Sequence, residues 1–475
     1  MPDLPVAPVL ERVDANLDAS VDRLFDLLRI PSVSTDPAFK DHVARAAGWM
    51  ADELTGLGFQ ASVRPTAGHP MVVAHHPGPG GDAPHVLYYG HYDVQPADPL
   101  ELWDTGPFEP VLVDAERGKR IVARGAVDDK GQVMTWVEAF RAWRDIHGTL
   151  PCRVTVLLEG EEETGSPSLD PFIAANAGEL KADVCVVCDT DMWDVDQPAI
   201  TYSLRGMVYL EATIRGPSRD LHSGMYGGVV VNPLNLLARI IGDLHDDRGR
   251  VQIPHFYDDV IPVGANEKVQ WEALGFDEAE YLGGVGLTVG GGERDFGALE
   301  RQWARPTCDV NGILGGYVDP GAKTVIAREA MAKISCRLVP DQDPAAVAAN
   351  LKRFITDRLP EGYTASFVDL GQAPAIRVPT DSAYLAAARQ GLADVFGKEA
   401  HLIGTGGSIP AVGSIRKYLG IDSILLGFGL DDDRVHSPNE KFELVCFHNG
   451  IRSNAAVLAR MAGIAKVKGE GHDRG

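Results

Sequence analysis

At 475 residues the chain exceeds what one ordinary hydrophobic core encloses, so two domains are expected. Apolar residues at 45% and charged residues at 23% are the proportions of a soluble globular protein rather than a disordered or membrane-spanning one. The formal charge of −23 argues against nucleic acid or an anionic membrane as partner; it leaves the substrate open, because bound cations reverse the local field of an acidic site.

Leu10, Val13, Leu17, Val21, Leu24 and Leu28 recur at helical spacing until Pro31 stops them. Val43, Ala47, Met50 and Leu54 mark a second amphipathic helix. Met71–Ala74 and His85–Tyr89 read as strands, and Lys130–Arg144 as a helix. Arg153–Leu158 and Val184–Cys188 are nearly continuous apolar runs, as in strands buried on both faces. This alternation predicts an α/β fold with a mainly parallel sheet and helices on each side.

The pattern changes near Tyr202. A strand at Gly206–Ile214, a helix at Pro233–Leu244, strands around Cys308–Ile313 and Ala332–Leu338, a helix at Pro344–Leu359 and a strand at Thr364–Val368 follow one another. That is the order of a ferredoxin-like α+β sandwich. The stretch from Asp246 to Arg305 reads as an insertion in it. The doubly wound pattern resumes with a helix at Ser382–Phe396 and a strand at Ser423–Phe428. The expected organisation is one domain of residues 1–199 and 377–475, interrupted by a second of residues 200–376.

Met1–Pro8 has no basic segment followed by an apolar one, and no run reaches transmembrane length. Of the six cysteines, Cys185 and Cys188 form a C-x-x-C, but no second pair or nearby histidine completes a zinc knuckle. Core packing is the reading for both, and the expected compartment is the reducing cytoplasm.

Chemistry concentrates in a few short segments, nearly all directly after expected strands, with Asp128 instead just before the helix that begins near Lys130. His91 and Asp93 stand in Tyr89-Gly90-His91-Tyr92-Asp93, and Asp128 in Arg124-Gly125-Ala126-Val127-Asp128-Asp129-Lys130-Gly131. Glu162 and Glu163 follow the run ending at Leu158, Asp189 follows Cys188, and His436 lies a few residues past Phe428. In parallel α/β sheets ligands gather beyond the carboxyl ends of the strands. Two metal ions need a carboxylate that spans them and further ligands for each. Asp128 suits the bridge, His91 with Asp189 one ion, and Glu163 with His436 the other. Imidazole with carboxylate suits zinc, with manganese and cobalt as alternatives. Glu162 is then free as general base, and Asp93 can orient the His91 ring. Singly, each residue has an ordinary explanation: a packed histidine, a solvated acidic loop or, for Asp129, a helix cap. The whole set would need many such coincidences.

Gly90-His91-Tyr92-Asp93-Val94-Gln95-Pro96, Arg124 to Gly131 and Glu161-Glu162-Glu163-Thr164-Gly165-Ser166 resemble the dinuclear zinc peptidases, and among them the carnosinase-like cytosolic non-specific dipeptidases. The resemblance runs from Leu28-Arg29-Ile30-Pro31 to His436-Ser437-Pro438-Asn439-Glu440-Lys441. It implies a catalytic domain with an inserted lid that also makes a homodimer. It supports the roles given to His91, Asp93, Asp128, Glu162, Glu163, Asp189 and His436. It further implies that His222, in Asp220-Leu221-His222-Ser223-Gly224, reaches the partner's site to stabilise the oxyanion. Thr324, Arg337, Gly407 and Ser408 would hold the substrate's terminal carboxylate, for which Arg337 suits a bidentate contact. Asn311 departs from the histidine that carnosinase-like relatives tend to carry there. The function expected is hydrolysis of dipeptides or similarly short peptides. The alternatives are an N-acyl amino acid amidohydrolase or carboxypeptidase using the same site, and a metal-binding protein without catalysis.

Overall fold

The structure is a computed structural model that describes residues 4–407 and 409–464. It divides into two compact units. Unit one takes the described residues up to Tyr202, Val378–Ile403 and those from Pro410 onward; unit two takes Ser203–Arg377 and the described residues of Gly404–Ile409.

Unit one opens with helices α1 (Ala7–Ala15), α2 (Leu17–Leu28) and α3 (Lys40–Gly56). The first apolar stripe, read as one helix, is broken at Asn16, whose φ of −110° and ψ of 7° leave the helical region. Strands β1 (Gln60–Arg64), β2 (Met71–His76) and β3 (His85–His91) follow, then the hairpin β4 (Val111–Ala115) and β5 (Gly118–Val122). Helix α4 (Lys130–His147), strand β6 (Arg153–Glu159), helix α5 (Leu169–Leu180) and strands β7 (Val184–Val187) and β8 (Ala199–Leu204) complete the first half. Along α4, Trp136, Phe140 and Trp143 are fully buried. Two of these rings meet Tyr88 of β3, at 5.4 and 5.1 Å between centroids, which fixes the helix on the sheet above the site.

In unit two, β9 (Gly206–Arg215), β10 (Leu221–His222), α6 (Ser223–Tyr226) and α7 (Pro233–Gly242) come first. The insertion then contributes α8 (Ala265–Glu272), α9 (Glu278–Gly284) and α10 (Ala298–Trp303). Strands β11 (Thr307–Gly315), β12 (Val325–Ile326) and β13 (Glu329–Leu338), helix α11 (Pro344–Thr356) and strand β14 (Thr364–Ala373) end the run. The sheet order is β11-β13-β9-β14, antiparallel throughout. Its inward residues, such as Val208, Leu210, Ala212 and Ile214 of β9, alternate with half-exposed ones and pack on Leu237, Leu351 and Phe354.

The chain then adds β15 (Ile376–Arg377), α12 (Ala383–Phe396), β16 (His401–Thr405), α13 (Pro410–Leu419), β17 (Ser423–Leu425), β18 (Lys441–Glu443) and α14 (Leu444–Ala462). The large sheet runs β1-β2-β6-β3-β7-β17-β8-β15, with β16 beside β8. Here the expectation of a mainly parallel sheet fails. Of the pairings whose register is described, β6–β3, β3–β7 and β7–β17 are parallel, whereas β1–β2, β2–β6, β17–β8 and β8–β15 are antiparallel. The sheet is mixed, because a continuous apolar run reports burial on both faces and not strand direction. The short link from Arg64 to Met71 also leaves no room for a crossover helix.

The parallel core is the part that positions the site, since β3, β6, β7 and β17 all end at one edge of the sheet. No described helix is long and apolar enough to cross a membrane, and all six cysteines are buried and free.

At the far edge Arg64 donates to both oxygens of Glu179, at 2.7 and 2.6 Å, and His75 Nε2 lies 2.9 Å from the same carboxylate. Arg64 chiefly, then His75, draw the Glu179 carboxyl from 4.5 to about 2. A folded value below the unfolded one means this contribution is complete above about pH 5 and is lost as pH falls through about 2. Glu179→Gln is therefore expected to cost about 1 kcal/mol near neutrality, the pair being partly exposed. The gap from wild type should close in urea unfolding curves taken toward about pH 2.

Candidate metal centre

His91 ends β3 with its side chain 1% exposed. Its ring Nδ1 lies 3.1 Å from the Asp93 carbonyl oxygen and 3.4 Å from Asp93 Oδ1. Its Nε2 faces Asp128 Oδ1 at 3.2 Å yet makes no hydrogen bond. The His91 N–H donates to Asp129 Oδ2 at 3.1 Å. Asp93, fully buried, also accepts the N–H groups of Glu162 and Glu163 at 3.3 and 3.1 Å. One carboxylate thus flanks the imidazole and holds the turn that carries both glutamates.

From the other end of the chain, His436 Nε2 comes within 3.0 Å of Asp128 Oδ2 and 3.3 Å of Glu163 Oε2. Asp128 therefore lies between two imidazoles, one oxygen toward each. The His436 loop is carried back by β17, which pairs with β7, and by the bridge between Asp191 and Gly429. His436 has φ of 60°, a left-handed conformation that costs a non-glycine residue about 1–3 kcal/mol. Nearby, Asn439 braces the loop by accepting the Asp104 N–H at 2.8 Å and donating to the Leu102 carbonyl at 3.0 Å.

Ligand-type atoms gather in two groups, His91 with Asp129 and Asp189, and Asp128 with Glu163 and His436, each within 4.8 Å. Asp129 was not among the expected ligands. It stands at the cap position of α4, but its side chain makes no cap bond and turns to His91. Its neighbour Lys130 is buried, and its amine donates to the Leu27 and Ile30 carbonyls at 3.2 and 2.6 Å, where α2 ends. Gln95, also not singled out, donates to Glu163 Oε2 at 2.7 Å.

The electrostatics are those of an overcrowded acidic site. Burial pushes the Glu162 carboxyl up to about 7, helped by Glu163, Asp128 and Asp93 and opposed by His91. Burial likewise holds Asp129 and Asp189 well above the usual carboxylate range. The hydrogen bonds that His436 donates to the Asp128 and Glu163 carboxylates push it up to about 10. Against its own burial, Asp128 is held far below its ordinary value by the two imidazoles. Two divalent cations would relieve this excess of negative charge, and the unpartnered His91 Nε2 is already aimed among the carboxylates. The donor set of imidazole and carboxylate fits such ions.

The other expected residues belong to unit two. His222 ends β10 exposed, with ring Nδ1 accepting the Gly224 N–H at 3.0 Å. β10 pairs with β12, and the Ser223 N–H donates to the Thr324 carbonyl at 3.0 Å, so His222 and Thr324 are neighbours. Arg337 is half-buried on β13, opposite Thr307 and Met207. Gly407 is exposed, and its carbonyl accepts the Arg205 N–H at 3.0 Å. Ser408 lies outside the described residues. Arg205 escaped the sequence reading; its guanidinium binds the carbonyls of Gln302 and Arg305 at 3.1 and 3.0 Å and Thr307 Oγ1 at 3.0 Å.

The model of peptidase family M20/M25/M40 matches residues 87–460. The chain belongs to this family. It is 31% identical to the Cys-Gly metallodipeptidase DUG1 of Candida albicans, over 96% of this chain and 97% of the relative. With the human Beta-Ala-His dipeptidase it shares 30% identity over 96% and 92% of the two chains. The solved structure of the dipeptidase Dug1p from Saccharomyces cerevisiae matches with a TM-score of 0.83 at 29% identity, covering 96% of this chain and 98% of that one. Membership in the M20/M25/M40 family agrees with the paired ligand groups found here.

Gly90 shows how little space surrounds these groups. A methyl there would stand 2.7 Å from Val133 Cγ2 and 2.9 Å from Asp129 Oδ2. Gly90→Ala is expected to lower stability by about 1–3 kcal/mol by overpacking. It should also weaken retention of divalent metal in dialysis, because Asp129 must move away from His91.

Proposed function

We propose that this M20/M25/M40-family protein hydrolyses the amide bond of dipeptides with two divalent cations, zinc being the ion the donor set fits best. The observation that carries the reading is the Asp128 carboxylate between His91 and His436, with Glu162 within electrostatic reach of both Asp128 and His91 and outside both ligand groups. In this reading Asp128 would be shared between the ions, with His91 and Asp189 as the residues that would hold one and Glu163 and His436 the other. When bound, the cations make a water acidic enough to attack at neutral pH and polarise the scissile carbonyl. Glu162 takes the proton of the attacking water and delivers it to the leaving amine. Its elevated carboxyl suits both halves of that transfer. Asp93 keeps the His91 ring oriented and the Glu162 turn in place.

Residues of unit two supply substrate recognition in the same proposal. Arg337, Thr324, Gly407 and Ser408 take the terminal carboxylate of a short peptide. His222, contributed by a partner subunit, stabilises the oxyanion. Unit two carries apolar residues suited to homodimer contact: Ile313 and Leu314 on the edge strand β11, each 56% exposed, and Met225 and Val229 after β10.

Glu162→Gln is expected to lower kcat by about 10²–10⁴-fold while both zinc ions stay bound in elemental analysis; near-normal turnover would remove Glu162 from the role. Amine release from free dipeptides should outpace release from matched N-acyl amino acids and stop with a chelator. The reverse preference would make the enzyme an aminoacylase. Mixing inactive His222→Ala and Glu162→Gln subunits should restore about a quarter of wild-type activity through heterodimers. No recovery after subunit exchange would place His222 in its own subunit's chemistry or outside it.

A further inference from the structure

Glu440 lies four residues beyond His436 and is fully buried. Its carboxylate collects four donors from one segment. Oε1 accepts the N–H groups of Val127 and Asp128 at 3.0 and 3.1 Å. Oε2 accepts the Gly125 N–H at 3.0 Å and Arg124 Nη1 at 2.8 Å. Arg124 is itself 1% exposed; its Nη2 donates to the Pro96 carbonyl at 3.1 Å, and its guanidinium lies 5.5 Å from the Trp103 ring centroid. The Glu440 carbonyl in turn accepts the Ala123 N–H at 3.2 Å. Glu440 therefore joins the segment after His436 to the Asp128 turn directly, and to the segment after His91 through Arg124.

We infer that Glu440 is a positioning residue that builds the Arg124–Asp128 turn and thereby sets the Asp128 carboxylate between His91 and His436. This rests on the dinuclear reading above and adds to it the group that orients the bridge. Three backbone N–H groups and a guanidinium converge on two oxygens, an arrangement only a carboxylate satisfies. A glutamine at 440 keeps one acceptor oxygen and turns two amide donors toward a neighbouring pair of donors. Whichever way it flips, either Val127 and Asp128 or Gly125 and Arg124 lose their acceptor, and the turn moves. Partners of metal ligands typically set affinity or activity by about 10–100-fold.

The test compares full-length wild type, Glu440→Gln and Leu392→Ala, the last a buried α12 variant that lowers stability away from the site. Zinc affinity by competition with a chromophoric chelator and kcat/KM are measured on each, at matched folded fraction. Glu440→Gln should lose about 10–100-fold in both, and Leu392→Ala in neither. Amide hydrogen exchange on wild type is read in parallel, with and without chelator. Gly125, Val127 and Asp128 should stay protected in both states, because Glu440 and not the metal holds the turn. Wild-type zinc affinity in Glu440→Gln, or free exchange of those three amides once zinc is removed, would overturn the inference. If Glu440→Gln does not fold, the exchange result alone decides it. Wild type retaining no pair of zinc ions would instead sink the dinuclear reading, and the exchange would still report on Glu440.

Discussion

The Asp128 carboxylate held between two imidazoles is the arrangement on which the rest of unit one depends. A carboxylate has two oxygens at a fixed separation, so it spans two ions only if the other ligands approach from opposite sides. His91 and His436 do so, one from the end of β3 and the other from the loop before β18. The order β6-β3-β7-β17 is what makes this approach available, because these strands share direction and end together. The antiparallel strands outside this core extend the sheet and add no ligand.

Concentrating so many carboxylates in a buried place is electrostatically unfavourable, and the protein shows how it is managed. Burial and mutual repulsion drive Glu162, Asp129 and Asp189 toward their protonated forms, while Asp128 and Glu163 draw a proton onto His436. Backbone N–H groups compensate wherever the chain can turn them inward, as at Asp93 and Glu440. At Asp93 these contacts fix the carboxylate in orientation without neutralising it, whereas at Glu440 the Arg124 guanidinium also supplies a positive charge. The remaining negative charge is what divalent cations answer.

How much of this was readable beforehand follows from how each residue does its work. His91, Glu163, Asp189 and His436 could be picked out because each stands beyond a run of strand residues, where a ligand is wanted and a solvated loop is the dull alternative; Asp128 could be picked out as a carboxylate just before a helix, suited to span two ions. Asp129 could not, since an aspartate directly before a helix is equally well explained as a cap. Glu440 and Arg205 act through backbone groups of distant segments, and no local pattern marks such a partner. Sheet direction was misread because apolar runs are alike in parallel and antiparallel strands once both faces are covered. The break at Asn16 left the apolar stripe intact on either side, so periodicity passed over it.

The sequence by itself determined which chemistry this protein has: imidazole and carboxylate side chains in number, a glutamate adjoining a ligand glutamate, and no thiolate among them. The change of pattern near Tyr202 also led to the expectation of a second unit interrupting the first. Only the tertiary structure decided which carboxylate faces both histidines, which partners hold it there, and that the sheet carrying them is mixed. The physical reason is range. Residue type and periodicity are local properties of the chain, whereas a shared carboxylate, a buried four-donor acceptor and the direction of a strand are defined only by segments distant in sequence and adjacent in space.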